Sequence, residues 1–334
     1  MGISNKKQQI KVYYYPSPSR GGYPNPYSYH YKEAIEKEYN LINRENKCAK
    51  ILGWDFFKNS FKADLYIINW LESICFLRLG WLQYIFACLG LWIIKKRRKK
   101  IVWMFHNIHP HQGDNQQSQK IQYKLFCQAS LIMTHSKEAM EYAQKHTNKK
   151  VIFINHPISP ITFKKINIDI PSFDILIWGA ILPYKGIAEF LEIKQIQQSS
   201  ITIRILGSCK NPVLSNKINN CCNEHILFEN RKATFDEISA YINKSKYVLF
   251  PYIGNCVSSS GALIDTLVLG GTPIGPNVGA FKDLSEKGLC LTYENKTDLL
   301  NLLTSHNTIN NSEKNKFITE NSWSNLIKVL QHNL

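Results

Sequence analysis

Two stretches in the second half of the chain carry side chains suited to holding a diphosphate. WGAILPYKGIAEF (178–190) joins an apolar strand to a helix through Gly179, Pro183 and the Lys185-Gly186 pair. A lysine at the carboxyl end of a strand and beside a helix N-terminus can reach a diphosphate. In PYIGNCVSSSGALIDTLVLGGTPIGP (251–276) a strand ends at Pro251-Tyr252, a small-residue loop with Ser259 follows, and a helix opens at Ser260-Gly261-Ala262. Backbone N–H groups at a helix start hold phosphate oxygens, and small residues let the anion approach closely. Asp265, one turn into that helix, can accept hydrogen bonds from ribose hydroxyls. Each feature also has a plainer reading: the serines as an ordinary N-cap, Asp265 as a solvated helix carboxylate. His106 closes the strand KIVWMFHN (100–107), where it can hydrogen-bond a bound sugar or phosphate or serve as a core histidine. His109 and His111 follow it, but no carboxylate stands near them at ligand spacing, which argues against a metal.

The elements that must position these groups are strands alternating with helices. In the first half IKVYYYP (10–16), ADLYIINW (63–70), KIVWMFHN (100–107), LIMTHS (131–136) and VIFINHP (151–157) read as strands, YHYKEAIEKEYN (29–40) as a helix, and Ser136 as the cap of the helix KEAMEYAQKH. Residues 161–173 read as a linker. A second alternation follows: strands FDILIWG (173–179), ITIRILG (201–207), HILFEN (225–230), YVLFPY (247–252) and TPIGPN (272–277), with helices GIAEFLEIKQI, FDEISAYINKS (235–245) and GALIDTLVLG (261–270) between them, and a last helix around Trp323. Continuous apolar strands alternating with helices indicate parallel sheets covered on both faces. The chain is therefore α/β with two Rossmann-like halves and a ligand-holding cleft between them.

Charge divides the chain unevenly. Of the net +16, residues 1–150 hold +14 (24 Lys/Arg against 10 Asp/Glu) and residues 151–334 hold +2 (17 against 15). That asymmetry directs attention to a polyanion or an anionic membrane as partner of the first half. LGWLQYIFACLGLWII (79–94) is apolar almost throughout and runs into KKRRKK (95–100). A spanning helix needs about 20 apolar residues. This shorter one reads as a helix lying on a membrane face, with its cations on anionic lipid; a buried core helix with an exposed basic turn is the alternative. The nine cysteines lack CxxC pairing and the first residues lack an apolar signal region, which together suggest a cytosolic protein.

The two diphosphate-suited stretches resemble the signature regions of GT-B glycosyltransferases of the GT4-like group. The family's G-x-x-x-x-x-K-G loop matches Gly179 to Lys185-Gly186, and its small-residue turn matches Gly270-Gly271-Thr272-Pro273-Ile274. WMFHNIHPH (103–111) is similar to the H-N-x-x-P-H element of members that build surface polysaccharides, and ENSWSNL (320–326) to the family's final Trp-containing helix. The chain departs from the pattern at Ala180, where an Arg is usual, at Val257, where the first Glu of E-x7-E is usual, and at Asp265 in place of the second.

The resemblance implies two Rossmann-like domains facing across a cleft: residues 1–160 toward the acceptor and membrane, 173–318 for the nucleotide-sugar, and a C-terminal helix, 319–334, returning to the first. It implies a hexosyltransferase that moves a sugar from a nucleotide-sugar to a lipid-linked glycan in polysaccharide assembly, with retention, and acts in the cytoplasm on the inner membrane face through residues 79–100. It assigns the donor to Gly21, Gly22, Gly179, Lys185, Ser259, Ser260, Gly261, Ala262 and Asp265, with Gly21 and Gly22 forming a loop near the diphosphate. His106 is the catalytic candidate. Asp114, the lone carboxylate between Glu72 and Glu138, is the base if the enzyme inverts. No cofactor or metal is expected: the chain lacks an Asp-x-Asp pair, and helix-start amides with Lys185 can take the diphosphate charge. A non-catalytic nucleotide-sugar-binding relic is a further reading. Nucleic acid is not expected, because no recognised binding motif accompanies the charge.

Overall fold

In a computed structural model of the protein, residues 10–17, 25–44, 49–108, 113, 115–254 and 260–334 are described. Gly21, Gly22, His109, His111, Asp114, Val257 and Ser259 lie outside them. The chain divides into two compact units, Met1–Asn155 with Trp323–Leu334, and His156–Ser322.

The first unit contains β1 (Lys11–Tyr15), α1 (Pro26–Glu38), β2 (Asn40–Leu41), α2 (Leu52–Asn59), β3 (Leu65–Asn69), α3 (Gly80–Lys96), β4 (Lys100–Phe105), α4 (Gln116–Gln128), β5 (Leu131–Thr134), α5 (Lys137–His146) and β6 (Val151–Phe153). The strands form one parallel sheet in the order β2-β1-β3-β4-β5-β6. All five residues of β3 and the last five of β4 are buried, as strands covered on both faces must be. Side chains close the helix starts: Asn25 accepts from the Tyr27 N–H, Asn115 from those of Gln117 and Ser118, and Ser136, as its spacing indicates, from that of Ala139.

The apolar segment 79–94 forms α3, packed against α2 at glycine contacts. A Cβ on Gly90 would lie 2.7 Å from the Phe56 ring, and one on Gly53 2.7 Å from the Gln83 carbonyl oxygen. Gln83, the amide in the apolar run, is buried and accepts from the Gly53 N–H at 3.1 Å. One side of α3 is therefore core. The other is not: Trp81 (59% exposed), Ile85, Leu89 and Trp92 (56%) form an outward stripe. The basic turn also divides. Arg97 donates to the carbonyls of Ser60 and Ala63 and to the Tyr66 hydroxyl, Lys99 pairs with Asp64 at 2.7 Å, and Lys100 bonds the Leu334 carbonyl. Lys95, Lys96 and Arg98 make no ion pair among the described residues.

The second unit contains β7 (Phe173–Trp178), α6 (Ile187–Leu191), α7 (Lys194–Gln197), β8 (Ile203–Leu206), α8 (Pro212–Asn220), β9 (Ile226–Glu229), α9 (Phe235–Lys244), β10 (Ser245–Leu249), α10 (Gly261–Val268), β11 (Pro273–Pro276), α11 (Gly279–Ser285), β12 (Leu291–Tyr293), α12 (Lys296–Thr304) and α13 (Asn311–Glu320). Its parallel sheet has the order β12-β11-β10-β7-β8-β9. The single helix expected over GIAEFLEIKQI is two short ones, α6 and α7, broken at Glu192-Ile193. The last helix, α14 (Trp323–Asn333), belongs to the first unit, where Trp323, Leu326, Ile327 and Leu330 join the core beside Tyr27 and Tyr31.

Candidate active site

Each sheet reverses its direction of growth once, and the loops leaving the two strands at that reversal border a crevice where ligands of such sheets bind. In the second unit the reversal lies between β7 and β10. The two stretches singled out by residue type leave from this pair.

Gly179 follows β7 with φ +96°, and Lys185 ends a 3-10 turn at Pro183–Lys185. Gly186 then takes φ +64°, and a Cβ there would fall 2.2 Å from the Pro251 carbonyl oxygen. Glycine is thus required twice over, by backbone conformation and by close approach to the chain leaving β10. The Ile253 N–H donates to the Tyr184 carbonyl at 3.0 Å and ties the two loops. Lys185 Nζ sits 5.7 Å from the centre of the Tyr252 ring, and the Tyr252 hydroxyl lies 3.3 Å from Ser260 Oγ. Ser260 caps α10 by accepting from the Leu263 N–H. Below it, Trp178 Nε1 donates to Thr266 Oγ1 at 3.0 Å, and that hydroxyl donates to the Ala262 carbonyl. The last residue of β7 therefore fixes α10, with Gly261 and Ala262 presenting their N–H groups at its open end.

Two ionisable groups here lack a partner of opposite charge among the described residues, the buried Lys185 and the half-buried Asp265. Lys185 is 7% exposed and its ammonium forms no ion pair or hydrogen bond among the described residues; burial lowers its pKa to about 8. Burial raises the Asp265 carboxyl to about 7, a rise the nearby Ser159 hydroxyl partly offsets, and its Oδ1 has no partner among the described residues. An uncompensated buried cation favours a bound anion, and an orphaned carboxylate oxygen favours a hydroxyl donor. A nucleoside diphosphate supplies both.

Asp265 also yields a stability prediction. Its folded pKa, about 7, lies above the ordinary 3.8, so the folded state holds the proton more tightly and loses stability as pH rises between those values. Asp265→Asn removes that cost. We expect the variant to be more stable by ~1–3 kcal/mol at pH 8 and by near zero at pH 4 in paired urea melts. An equal difference at both pH values would refute the buried-carboxyl assignment.

In the first unit the reversal lies between β1 and β3, and His106 follows the adjoining β4. His106 is buried, with Nε2 3.0 Å from Asn69 Oδ1. Asn69 uses its amide nitrogen to donate to the Tyr15 carbonyl, so its oxygen accepts and His106 carries its proton on Nε2. Nδ1 is then the acceptor nitrogen of the ring. Trp70 stacks on the imidazole at 4.2 Å, and Tyr27 meets it edge-on at 5.0 Å. Trp70 holds this position at φ +51°, a left-handed conformation that costs a bulky residue ~1–3 kcal/mol. The Tyr27 hydroxyl lies 2.9 Å from His135 Nε2, while His135 Nδ1 bonds the Ile154 carbonyl. A neutral His135 satisfies both by donating from Nδ1 and accepting from tyrosine.

The structure thus brings Lys185, Ser260, Gly261 and Ala262 to one strand-end region of the second unit, with Asp265 one turn along α10, and sets His106 just past the carboxyl end of the interior strand β4 in the first. Residue types alone missed Asn69, Trp70, Tyr27 and His135 around the histidine, and Trp178, Tyr252 and Thr266 around the lysine. Among the described residues no group of three or more His, Cys, Asp or Glu side chains is placed to hold a metal ion.

No protein-family model matches the chain, and no curated protein is similar to it in sequence. Solved structures are similar in fold. HepE of Anabaena, in complex with UDP and glucose, aligns over 97% of this chain and 100% of its own at 12% identity and a TM-score of 0.62. The lipopolysaccharide outer core galactosyltransferase WaaB, in its apo form, aligns over 97% and 100% at 11% identity and a TM-score of 0.66. A UDP-forming α,α-trehalose-phosphate synthase of Burkholderia xenovorans aligns over 97% and 98% at 9% identity and a TM-score of 0.64. With two parallel six-stranded sheets in the layout of these glycosyltransferases, the chain has the GT-B fold.

Proposed function

We propose that the chain is a metal-independent glycosyltransferase that moves a sugar, with retention, from a nucleotide-sugar to a lipid-linked glycan acceptor. The observation that carries this reading is a buried lysine, Lys185, with no anionic partner among the described residues, together with the orphaned Oδ1 of Asp265 on α10. Lys185 and the N–H groups of Gly261 and Ala262 take the diphosphate, with Gly179 leaving room beside the ammonium: a Cβ there would lie 3.5 Å from Nζ. Asp265 accepts from the ribose hydroxyls. The family resemblance adds Gly21, Gly22 and Ser259, which lie outside the described residues, to the residues assigned to the donor. His106 is the side chain assigned to hydrogen-bond the donor sugar while its bond to phosphate breaks and the acceptor hydroxyl takes the anomeric carbon. As the leaving diphosphate gains charge, the ammonium and the amides stabilise it in place of a divalent cation. The UDP bound by HepE makes uridine donors the first to test.

The test is a titration panel of UDP-, GDP-, ADP- and CMP-sugars followed by turnover with the best binder. We expect one nucleotide class to bind and full turnover to persist after exhaustive EDTA treatment. Activity lost to EDTA and restored by manganese would overturn the metal-independent mechanism. Val257, where the family's first Glu is usual, favours a second reading, a nucleotide-sugar binder without transfer; binding without turnover on any acceptor would establish it. If transfer proceeds with inversion instead, Asp114 becomes the base.

We further place the first unit on the inner face of the cell membrane. Its outward stripe, Trp81, Ile85, Leu89 and Trp92, continues onto Trp54 of α2 through Phe86, 5.1 Å from the Trp54 ring. Among the described residues no helix is long and apolar enough to cross a membrane. Such a face binds at the surface, with each nearby cation adding about 1 kcal/mol on anionic lipid. In liposome flotation we expect the triple change of Lys95, Lys96 and Arg98 to Gln to weaken binding to phosphatidylglycerol vesicles roughly 100-fold. Arg97→Gln is expected to lower stability instead, since its guanidinium holds the carbonyls of Ser60 and Ala63. Equal flotation of wild type and triple variant would reject the electrostatic contribution.

A further inference from the structure

Beside the apolar stripe of α3 lies a groove of about 570 Å³ between α3 and α4, lined by Tyr84, Gln116, Gln119, Lys120, Tyr123 and Lys124. We propose that it seats the phosphate of a phosphorylated lipid whose hydrocarbon chain lies along Trp81 and Ile85. This rests on the lipid-linked acceptor proposed above and names where that acceptor is held.

The charge of the groove has one sign. Lys120 and Lys124 stand one turn apart on α4, and neither ammonium makes an ion pair among the described residues. α3 and α4 contain no acidic residue to neutralise them. The two glutamine amides and two tyrosine hydroxyls add further donors, so the lining suits an anion with several acceptor oxygens. The tyrosine rings leave the walls apolar between those donors.

Position supplies the second half of the argument. Tyr84 lies on α3 three residues after Trp81 and next to Ile85, so the groove wall and the exposed stripe are adjacent on one helix surface. An inorganic anion would use only the groove and a neutral hydrocarbon only the stripe. A phosphate joined to an apolar chain uses both. The cations of the basic turn follow the far end of the same helix, after Trp92, and are left to the bulk membrane surface.

The experiment is calorimetric titration of the full chain with farnesyl phosphate below its micelle concentration, with farnesol and inorganic phosphate as comparisons. We expect farnesyl phosphate to bind one per chain at least tenfold more tightly than either comparison. Lys120→Gln/Lys124→Gln should bring it to the level of farnesol, because both lysines are surface groups whose loss leaves the helix intact. Trp81→Ser/Ile85→Ser should weaken farnesyl phosphate and farnesol alike and keep their ratio. Equal affinity for farnesyl phosphate and farnesol overturns the proposal, as does a ratio unchanged in the lysine variant. Inorganic phosphate binding as tightly as farnesyl phosphate also overturns it, by making the groove a simple anion site. A loss of the ratio in the Lys95, Lys96 and Arg98 variant in place of the groove variant would put the phosphate at the basic turn and overturn it too. Titration of the same wild-type preparation with UDP-glucose reports on the donor reading separately, since that site lies in the other unit.

Discussion

Replacing Lys185 with Met is expected to make the protein more stable and a much weaker nucleotide-sugar binder. Met keeps the length and apolar contacts of the side chain, including those against Tyr252, and removes a buried cation that has no anionic partner among the described residues. Exchanging buried charge for a well-packed apolar group is neutral or stabilising, and we expect a gain of ~1–3 kcal/mol at pH 7. The pH dependence follows from burial lowering the lysine from 10.5 to about 8. The folded state releases the proton first, so wild-type stability rises between pH 8 and 10.5 and the advantage of Met fades across that window. Binding moves the opposite way. Loss of a charge-assisted contact to a buried diphosphate costs ~2–4 kcal/mol, roughly 30- to 1,000-fold in affinity. A variant that loses stability and keeps its affinity would show a lysine serving the fold.

His106→Ala is expected to lower turnover by about 10²- to 10⁴-fold, the range for a side chain acting on the reacting group. Nucleotide-sugar affinity should change far less, because the proposed contacts to diphosphate and ribose lie in the second unit. The same change removes the ring between Trp70 and Tyr27 and leaves Asn69 Oδ1 without its donor, a cost of ~1–3 kcal/mol in stability. His106→Gln separates the two roles. Its amide can donate to Asn69, so we expect it to recover most of the stability and little of the turnover. Recovery of both in urea melts and initial rates would show that the histidine only packs the strand ends of the sheet.

The strands were readable because a parallel strand covered on both faces is a continuous apolar run, as in LYIIN and KIVWMF. Lys185 and the start of α10 were readable because strand, small-residue turn and helix follow one another in sequence. What surrounds them was not. Asn69 meets His106 across 37 residues, Tyr27 meets His135 across 108, and Trp178 meets Thr266 across 88, partners fixed by sheet order that no local pattern encodes. The orientation of α3 was hidden for another reason. A helix apolar all round has no periodicity to show which side faces the core. Gly53 on α2 and Gly90 and the Gln83 amide on α3 settle it, but only once the two helices lie together. The basic turn reads as six equivalent cations, yet the carbonyls at the end of α2 draw Arg97 inward and Asp64 engages Lys99. The mostly polar sequence of α4 hides a helix that Asn115 caps and whose buried side holds Ile121, Leu125 and Phe126.

The most direct test of the donor site is calorimetric titration of the protein with the nucleotide-sugar it binds best, at pH values from 6 to 9.5 in buffers of different ionisation enthalpy. A diphosphate on Lys185 raises the lysine pKa above its free value of about 8, so complex formation near pH 8.5 must take up a proton, and affinity must fall as pH rises further. We predict uptake approaching one proton per chain in the wild type and none in Lys185→Met. Binding with no proton uptake at any pH, or no binding of any nucleotide-sugar, would contradict the account.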